Sequence, residues 1–386
     1  MRIALVTSGL GRGTDGVGDY CRRVACELRQ LGHEVGLLAL NDRRCVPQEN
    51  VSWSNADEMP EARLSADVAW SKRVQQATRL LAELDPAWIS LHFVCYGFHA
   101  RGFVSTLGHG LKRIVAGRRL HLMLHELWVM WNMKCKWRDR IMGIEQRRGV
   151  LKILRCLEPD LIDTTNPYYQ TVMQKEGFEC GIQVLCGSFP PEKSDSREWL
   201  AEKMLEAGLP DIWMNRGRFL VAGFFGTIFG HWDPEPLLKW LADAGVASGK
   251  EPILLSAGSC SGAGAQRFDC IPSHVGGVRL PKLRIGLLDQ KQASEYLNTL
   301  DLGLTCYSPV FIWKSSVAAT MLEHGLTVVA GAAIEDHLEE FAERSRSNKI
   351  VDIRHELPLS QMESTRRAER KALIYGEDFV ARLKYE

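Results

Sequence analysis

Short runs of β-type apolar residues recur along this chain, separated by longer amphipathic segments, and that alternation restricts the fold more than any other feature. A run such as residues 3–6 (IALV) is short and continuous, as expected of a strand buried on both faces. Strands of that kind need parallel neighbours and helical crossovers, so the pattern predicts α/β architecture. In the first half, strands are read at residues 2–8, 34–40, 88–94, 120–125, 160–165 and 182–186. Helices are read between them, among them 17–31 and 138–157. The latter carries Ile141, Ile144, Leu151 and Leu154 at three-to-four spacing, which predicts one buried face. Pro, Ser, Gly and charge then dominate residues 187–218, as in a linker holding one helix. A second series of strands follows at 218–226, 251–258, 283–288, 301–307 and 326–331. The expectation is two Rossmann-like, doubly wound parallel-sheet domains at 1–190 and 218–365, joined by a linker at 191–217. A helix at 366–386 is expected to pack back towards the first domain, and a ligand is expected in a cleft between the domains.

Composition fits this reading. A length of 386 residues suits two domains. The 48 basic and 47 acidic residues leave a net charge of +1, which gives no global drive towards nucleic acid. Eleven cysteines stand at irregular spacing with no C-x-x-C pair, so they are read as reduced thiols of a cytoplasmic protein. The first apolar run is too short for a signal-peptide core, and no run approaches the roughly 20 residues of a membrane span.

Five stretches carry candidate chemistry. The loop after the first strand contains Gly9, Gly11, Gly13, Gly16 and Gly18 and opens at the sheet edge where such folds bind ligands. Its spacing is not the G-x-G-x-x-G fingerprint, and Asp19 in the first helical turn would repel a phosphate resting there. In "SPVFIWKSSVAATMLEHG", Ser315 or Ser316 can cap a helix, Gly325 ends it, and Lys314 stands where a cation would meet an anion at the helix start. In "FGTIFGHWDPEP", Gly226 ends a strand, Asp233 and Pro234 start a helix, and Thr227 and His231 are available for hydrogen bonds. His125 and Glu126 leave a strand together, suited to sugar hydroxyls or proton transfer, and Tyr96 and His99 follow another strand where rings can stack on sugars. Between Lys134 and Lys152, seven basic residues stand against two acidic ones, interleaved with Trp131, Met133 and Trp137, a candidate contact for the inner face of an anionic membrane. The chain has no P-loop, no G-x-S-x-G, no H-E-x-x-H and no D-x-D, so no metal site is expected.

Taken together, "DGVGDYCRRVACELRQLGHEV", "LHELW", "DTTNPYY", "FGTIF" and "HGLTVVAG" resemble the group 1 glycosyltransferases of the GT-B fold, also called glycosyltransferase family 4. The resemblance implies two domains facing across a cleft, a nucleotide-sugar donor held by the second, an acceptor held by the first, and metal-independent transfer with retention. It would place Gly16, Val17 and Gly18 near the donor, and Gly226, Thr227, Lys314, Ser315 and Ser316 at its diphosphate. Leu287 and Leu288 would lie near the base, and His125 on the acceptor side. The family's Glu-x7-Glu falls on Ile312 and Thr320, neither of them acidic, and His231 is the nearest substitute for the basic residues expected after "FGT".

The sequence therefore reads as a glycosyltransferase that needs no cofactor beyond its nucleotide-sugar co-substrate. His125 and Asp19 are the catalytic candidates, and Glu126, Tyr96 and His99 the acceptor-side ones. The acceptor is a glycan, a lipid-linked glycan or a small molecule. A nucleotide-sugar 2-epimerase and a non-catalytic nucleotide-binding protein of the same fold are the alternatives.

Overall fold

The computed structural model describes the chain except residues 14, 57–58, 130–136, 193–196, 259–261, 333, 335–337, 345–349, 355–374 and 385–386. Lys134, Lys136, Trp131 and Met133 of the basic segment, and the start of the C-terminal helix, thus lie outside the described residues. The chain separates into two compact units, Met1–Cys186 with Ile374–Glu386, and Gly187–Leu373.

Among the described residues the first unit is built on eight strands: β1 (Arg2–Thr7), β2 (Glu34–Asp42), β3 (Ser54–Ala56), β4 (Met59–Ser65), β5 (Trp88–Phe93), β6 (Arg119–Leu124), β7 (Leu161–Thr164) and β8 (Gly181–Ile182). Their order across the sheet is β3-β4-β2-β1-β5-β6-β7-β8, parallel except for the edge pair β3 and β4. That edge pair was not foreseen. Its strands carry Asn55, Glu61, Arg63 and the amide-lacking Pro60, which pairs only with Asn55 of the edge strand β3, before the pairing of β4 with β2 begins at Glu61. β8 is also shorter than the five residues expected: after Gln183 donates to the Thr164 carbonyl at 2.8 Å, the chain leaves the sheet.

The helix Gly16–Gln30 starts one residue earlier than predicted, capped by Asp15, and buries Tyr20, Cys21, Val24, Ala25 and Leu28. Phe379, Val380 and Leu383 of the helix Tyr375–Lys384 join the same apolar cluster. Each such side chain contributes roughly 1.5–3 kcal/mol on burial. In the helix Trp137–Leu157, Leu151 and Leu154 are buried as the periodicity predicts, but Ile141 is 52% exposed. The buried stripe starts only at Gly143, so the first turn and a half projects beyond the core.

Among the described residues the second unit has six parallel strands, β9 (Phe219–Phe225), β10 (Glu251–Ala257), β13 (Lys282–Gly286), β14 (Leu302–Thr305), β15 (Thr327–Ala330) and β16 (Ile350–Asp352), plus a small hairpin of β11 (His274–Val275) and β12 (Val278–Arg279). The sheet order is β13-β10-β9-β14-β15-β16. In each unit the connections run one way from the first strand and then the other, so the order reverses between β1 and β5 and between β9 and β14. Diverging crossovers leave a crevice at such a point, at the carboxyl ends of the strands.

Candidate functional site

At the reversal point of the second unit the chain closes around a small cavity of mixed polar and apolar lining. Gly226 ends β9 at φ 84°, with its N–H donated to the Ala257 carbonyl at 2.8 Å. A Cβ at Gly226 would come within 3.0 Å of Val317, and one at Gly258 would stand 2.7 Å from the Gly226 nitrogen. Both positions favour glycine because φ is positive, and at Gly258 the added Cβ would also fall on the Gly226 backbone. Beyond β14, a turn at Ile312–Lys314 leads into the helix Ser316–Glu323. Ser315 is its cap, the hydroxyl accepting the Ala318 N–H at 3.2 Å. Thr227, Tyr307, Lys314, Ser315, Ser316 and Val317 line a cavity of about 150 Å³. A helix start gives this space N–H groups and a positive dipole end. The Lys314 ammonium adds a full charge, lying 5.9 Å from the Tyr307 ring centre and 5.6 Å from that of Phe311. The arrangement brings one ammonium, two serine residues and a helix start to the same small cavity.

The structure thus gathers Gly226, Thr227, Lys314, Ser315 and Ser316, and leaves the other donor-side candidates elsewhere. His231 is exposed and stacked on Phe229, with ring centres 5.6 Å apart. Leu287 is 80% exposed, whereas Leu288 packs on an apolar cluster. Ile312 is buried in that cluster. Thr320 is fully buried; its hydroxyl donates to the Ser316 carbonyl and accepts the Ser188 N–H, both at 2.8 Å. One turn on, Glu323 accepts the Gly187 N–H at 2.7 Å. These two side chains therefore anchor the beginning of the second unit. The helix that starts at Glu235 has Pro234 rather than Asp233 at its cap; Asp233 accepts the Glu235 N–H at 3.2 Å.

In the first unit the glycine loop meets the start of the helix Gly16–Gln30. A Cβ on Gly18 would stand 2.7 Å from the Gly9 carbonyl oxygen, and one on Gly9 would stand 2.5 Å from Asp15. These two glycines serve close packing, while Gly16 faces open space and Val17 is half-buried. The helix start is held by the chain's own carboxylates. Asp15 accepts the Gly18 N–H at 3.0 Å, and Asp19 accepts the Gly13 N–H at 3.1 and 3.2 Å. Burial raises the pKa of both acids above the usual carboxylate range.

His125 is 6% exposed, its Nε2 3.0 Å from Nδ1 of His92 and its ring edge-on to Tyr20. Burial, with His121 nearby, lowers its pKa to about 3, so the imidazole is neutral at pH 7. Glu126 follows, half-buried. Tyr96 accepts a hydrogen bond from Gln146 at 2.8 Å. His99 is used by its own loop, Nδ1 accepting the N–H groups of Arg101 and Phe103 at 3.1 and 3.2 Å. Of the described basic residues, Arg147 pairs with Glu176 and Arg148 with Glu145, each at 2.6 Å. Among the described residues no helix is long and apolar enough to cross a membrane. The sequence reading missed Ser90, His92, His121 and Asp163, which join His125 in a buried polar line. The available signal was a histidine inside each of the apolar strands β5 and β6, unusual on a buried sheet face.

No protein-family model matches the sequence, and no curated protein matches it significantly. Solved structures do match along the whole chain. The catalytic domain of starch synthase IV from Arabidopsis thaliana, bound to ADP and acarbose, aligns with a TM-score of 0.56 at 11% identity, covering 99% of this chain and 97% of that one. An α,α-trehalose-phosphate synthase (UDP-forming) from Burkholderia vietnamiensis aligns with a TM-score of 0.54 at 11% identity over 100% of both chains. A trehalose-6-phosphate protein from E. coli, bound with UDP-2-fluoro glucose, gives 0.51 at 11% identity over 100% of this chain and 99% of that one. At such identity the likeness is one of architecture, and on that evidence the chain has the GT-B fold, two Rossmann-like units in a single polypeptide.

Proposed function

We propose that this protein is a glycosyltransferase that moves a sugar from a nucleotide-sugar donor to a hydroxyl-bearing acceptor. The observation that carries the reading is the cavity of the second unit, where Lys314, the helix start at Ser315 and Ser316, and the Gly226–Thr227 loop converge at the sheet's reversal point. A diphosphate there would meet N–H groups, hydroxyls and one ammonium. Those groups stabilise negative charge most when the sugar–oxygen bond breaks and the diphosphate departs, which is where catalysis by electrostatic preorganisation acts. In the first unit, His125 is a weak base with its pKa near 3, so its role is to orient an acceptor hydroxyl. That fits a retaining course, which asks for no strong side-chain base. The second unit takes the donor, and His125 with Glu126 takes the acceptor.

A thermal-shift screen of the full chain over nucleoside diphosphates and nucleotide sugars tests the reading. At least one nucleotide should raise Tm, and Lys314→Ala should weaken that nucleotide roughly 10- to 100-fold, the effect of removing a charged hydrogen-bond partner. If no nucleotide stabilises the wild-type protein, the proposal fails. Epimerised sugar formed from donor alone would replace transfer with epimerisation.

A further inference from the structure

Four side chains with no part in the proposal above continue inward from His125 along one face of the first unit's sheet. His125 Nε2 lies 3.0 Å from His92 Nδ1, and His92 Nε2 lies 3.0 Å from Ser90 Oγ. Ser90 Oγ lies 2.8 Å from His121 Nδ1 across the β5–β6 register pair of Ser90 and His121. His121 Nε2 then lies 3.3 Å from Asp163 Oδ2, and Arg382 binds both carboxylate oxygens of Asp163. All five polar side chains of the line are at most 6% exposed. Tyr20 covers the His92 and His125 rings, and Phe379 covers that of His121.

A neutral imidazole has one N–H and one lone pair, so each ring in such a line can point only one of two ways. Asp163 settles the choice, because an ionised carboxylate presents lone pairs alone. Its charge is balanced by Arg382, and a neutral His121 leaves the buried set without net charge. The proton of His121 then sits on Nε2, facing Asp163, and Nδ1 accepts from the Ser90 hydroxyl. Ser90 in turn accepts from His92 Nε2–H, and His92 Nδ1 accepts from His125 Nε2–H. Ser90 and His92 each donate once and accept once, while His121 Nε2 faces Asp163 Oδ2 at 3.3 Å as a charge contact without hydrogen-bond geometry. At the end of the line, Nδ1 of His125 has no hydrogen-bond partner among the described residues.

We propose that Asp163, acting through His121, Ser90 and His92, fixes the tautomer of His125 so that its Nδ1 stands as a hydrogen-bond acceptor for a hydroxyl of the bound ligand. Asp163 and Ser90 are positioning residues, remote from any ligand. The ligand-facing half of the proposal rests on the acceptor role given to His125 above; the tautomer half does not.

The test is long-range 1H–15N correlation on the full-length protein labelled with 15N-histidine, with resonances assigned by single His→Gln variants. Wild type should show His92, His121 and His125 all as neutral Nε2–H tautomers at pH 7. An Nδ1–H or a doubly protonated ring at any of the three overturns the proposal. Ser90→Ala keeps the Asp163–Arg382 pair and cuts the line. His121 should stay Nε2–H while His92 and His125 populate both tautomers; a His125 still wholly Nε2–H overturns the role of the line. Turnover of nucleotide sugar is read separately: tautomers as expected in a protein that consumes no donor would count against the glycosyltransferase reading and leave the line intact.

Discussion

Arg382 of the C-terminal helix places its Nε 2.7 Å from Oδ2 of Asp163, a carboxylate only 1% exposed on β7, and its Nη2 on Oδ1 of the same group. The pair joins residues 219 positions apart in sequence. It is possible because residue 181 is glycine: a Cβ there would overlap both Asp163 and Arg382.

Arg382→Ala should destabilise the first unit by about 3–5 kcal/mol, since it strands a buried carboxylate. Gly181→Ala should cost about 1–3 kcal/mol by forcing a methyl group into the pair. Urea unfolding followed by tryptophan fluorescence measures both, and an Arg382→Ala loss below about 1 kcal/mol would show that water replaces the guanidinium without penalty.

Stability should fall on mild acidification. His125 and His92 have pKa values lowered by burial, His125 to about 3, while the unfolded rings titrate near 6.5. Between those values the unfolded chain binds protons that the folded chain does not, so stability rises with pH in that window and is lost as pH falls through about 6.5. Two such groups predict a loss of about 2–3 kcal/mol between pH 7 and pH 5.5. The raised pKa values of Asp15 and Asp19 act oppositely, and only towards the carboxylate range. Urea midpoints compared at the two pH values check this; equal midpoints would mean that both rings charge freely in the folded protein.

Gly258→Ala should disturb the cavity of the second unit without lining it. The added Cβ would meet the Gly226 nitrogen at 2.7 Å in a residue held at φ 106°, displacing the loop that carries Thr227. Nucleotide affinity should drop at least roughly 10-fold, the equivalent of about 1.4 kcal/mol. Gly249→Ala is the control: φ is also positive at 64°, but no atom stands within 4 Å, so it should cost about 1 kcal/mol of stability and leave affinity unchanged. Isothermal titration with the best nucleotide from the thermal screen separates the two.

Thr320→Val should lower stability by about 1–3 kcal/mol, because the half-buried Ser188 N–H loses its acceptor. Nucleotide affinity should stay within twofold of wild type, since Thr320 is fully buried and outside the cavity wall. A larger fall in affinity would return Thr320 to the donor site where sequence register had put it.

The sequence by itself determined the two βαβ series and the strand positions β1, β2, β5, β6, β7, β9, β10, β13, β14 and β15 to within about two residues. Periodicity, caps and glycines are local signals, and local physics produces them. Only the tertiary structure decided the rest. β4 is a strand because it pairs with β2, and β3 is one because it pairs with β4, causes that lie outside their own sequence. Thr320 is taken by Ser188 and Glu323 by Gly187, contacts across 132 and 136 residues that no register alignment contains. His125 was legible as a candidate from its place after a strand, yet its pKa is set by burial and its tautomer by groups on β5, β6, β7 and the last helix. A side chain's type is written in the sequence, but its charge and its direction of hydrogen bonding depend on what the fold packs around it.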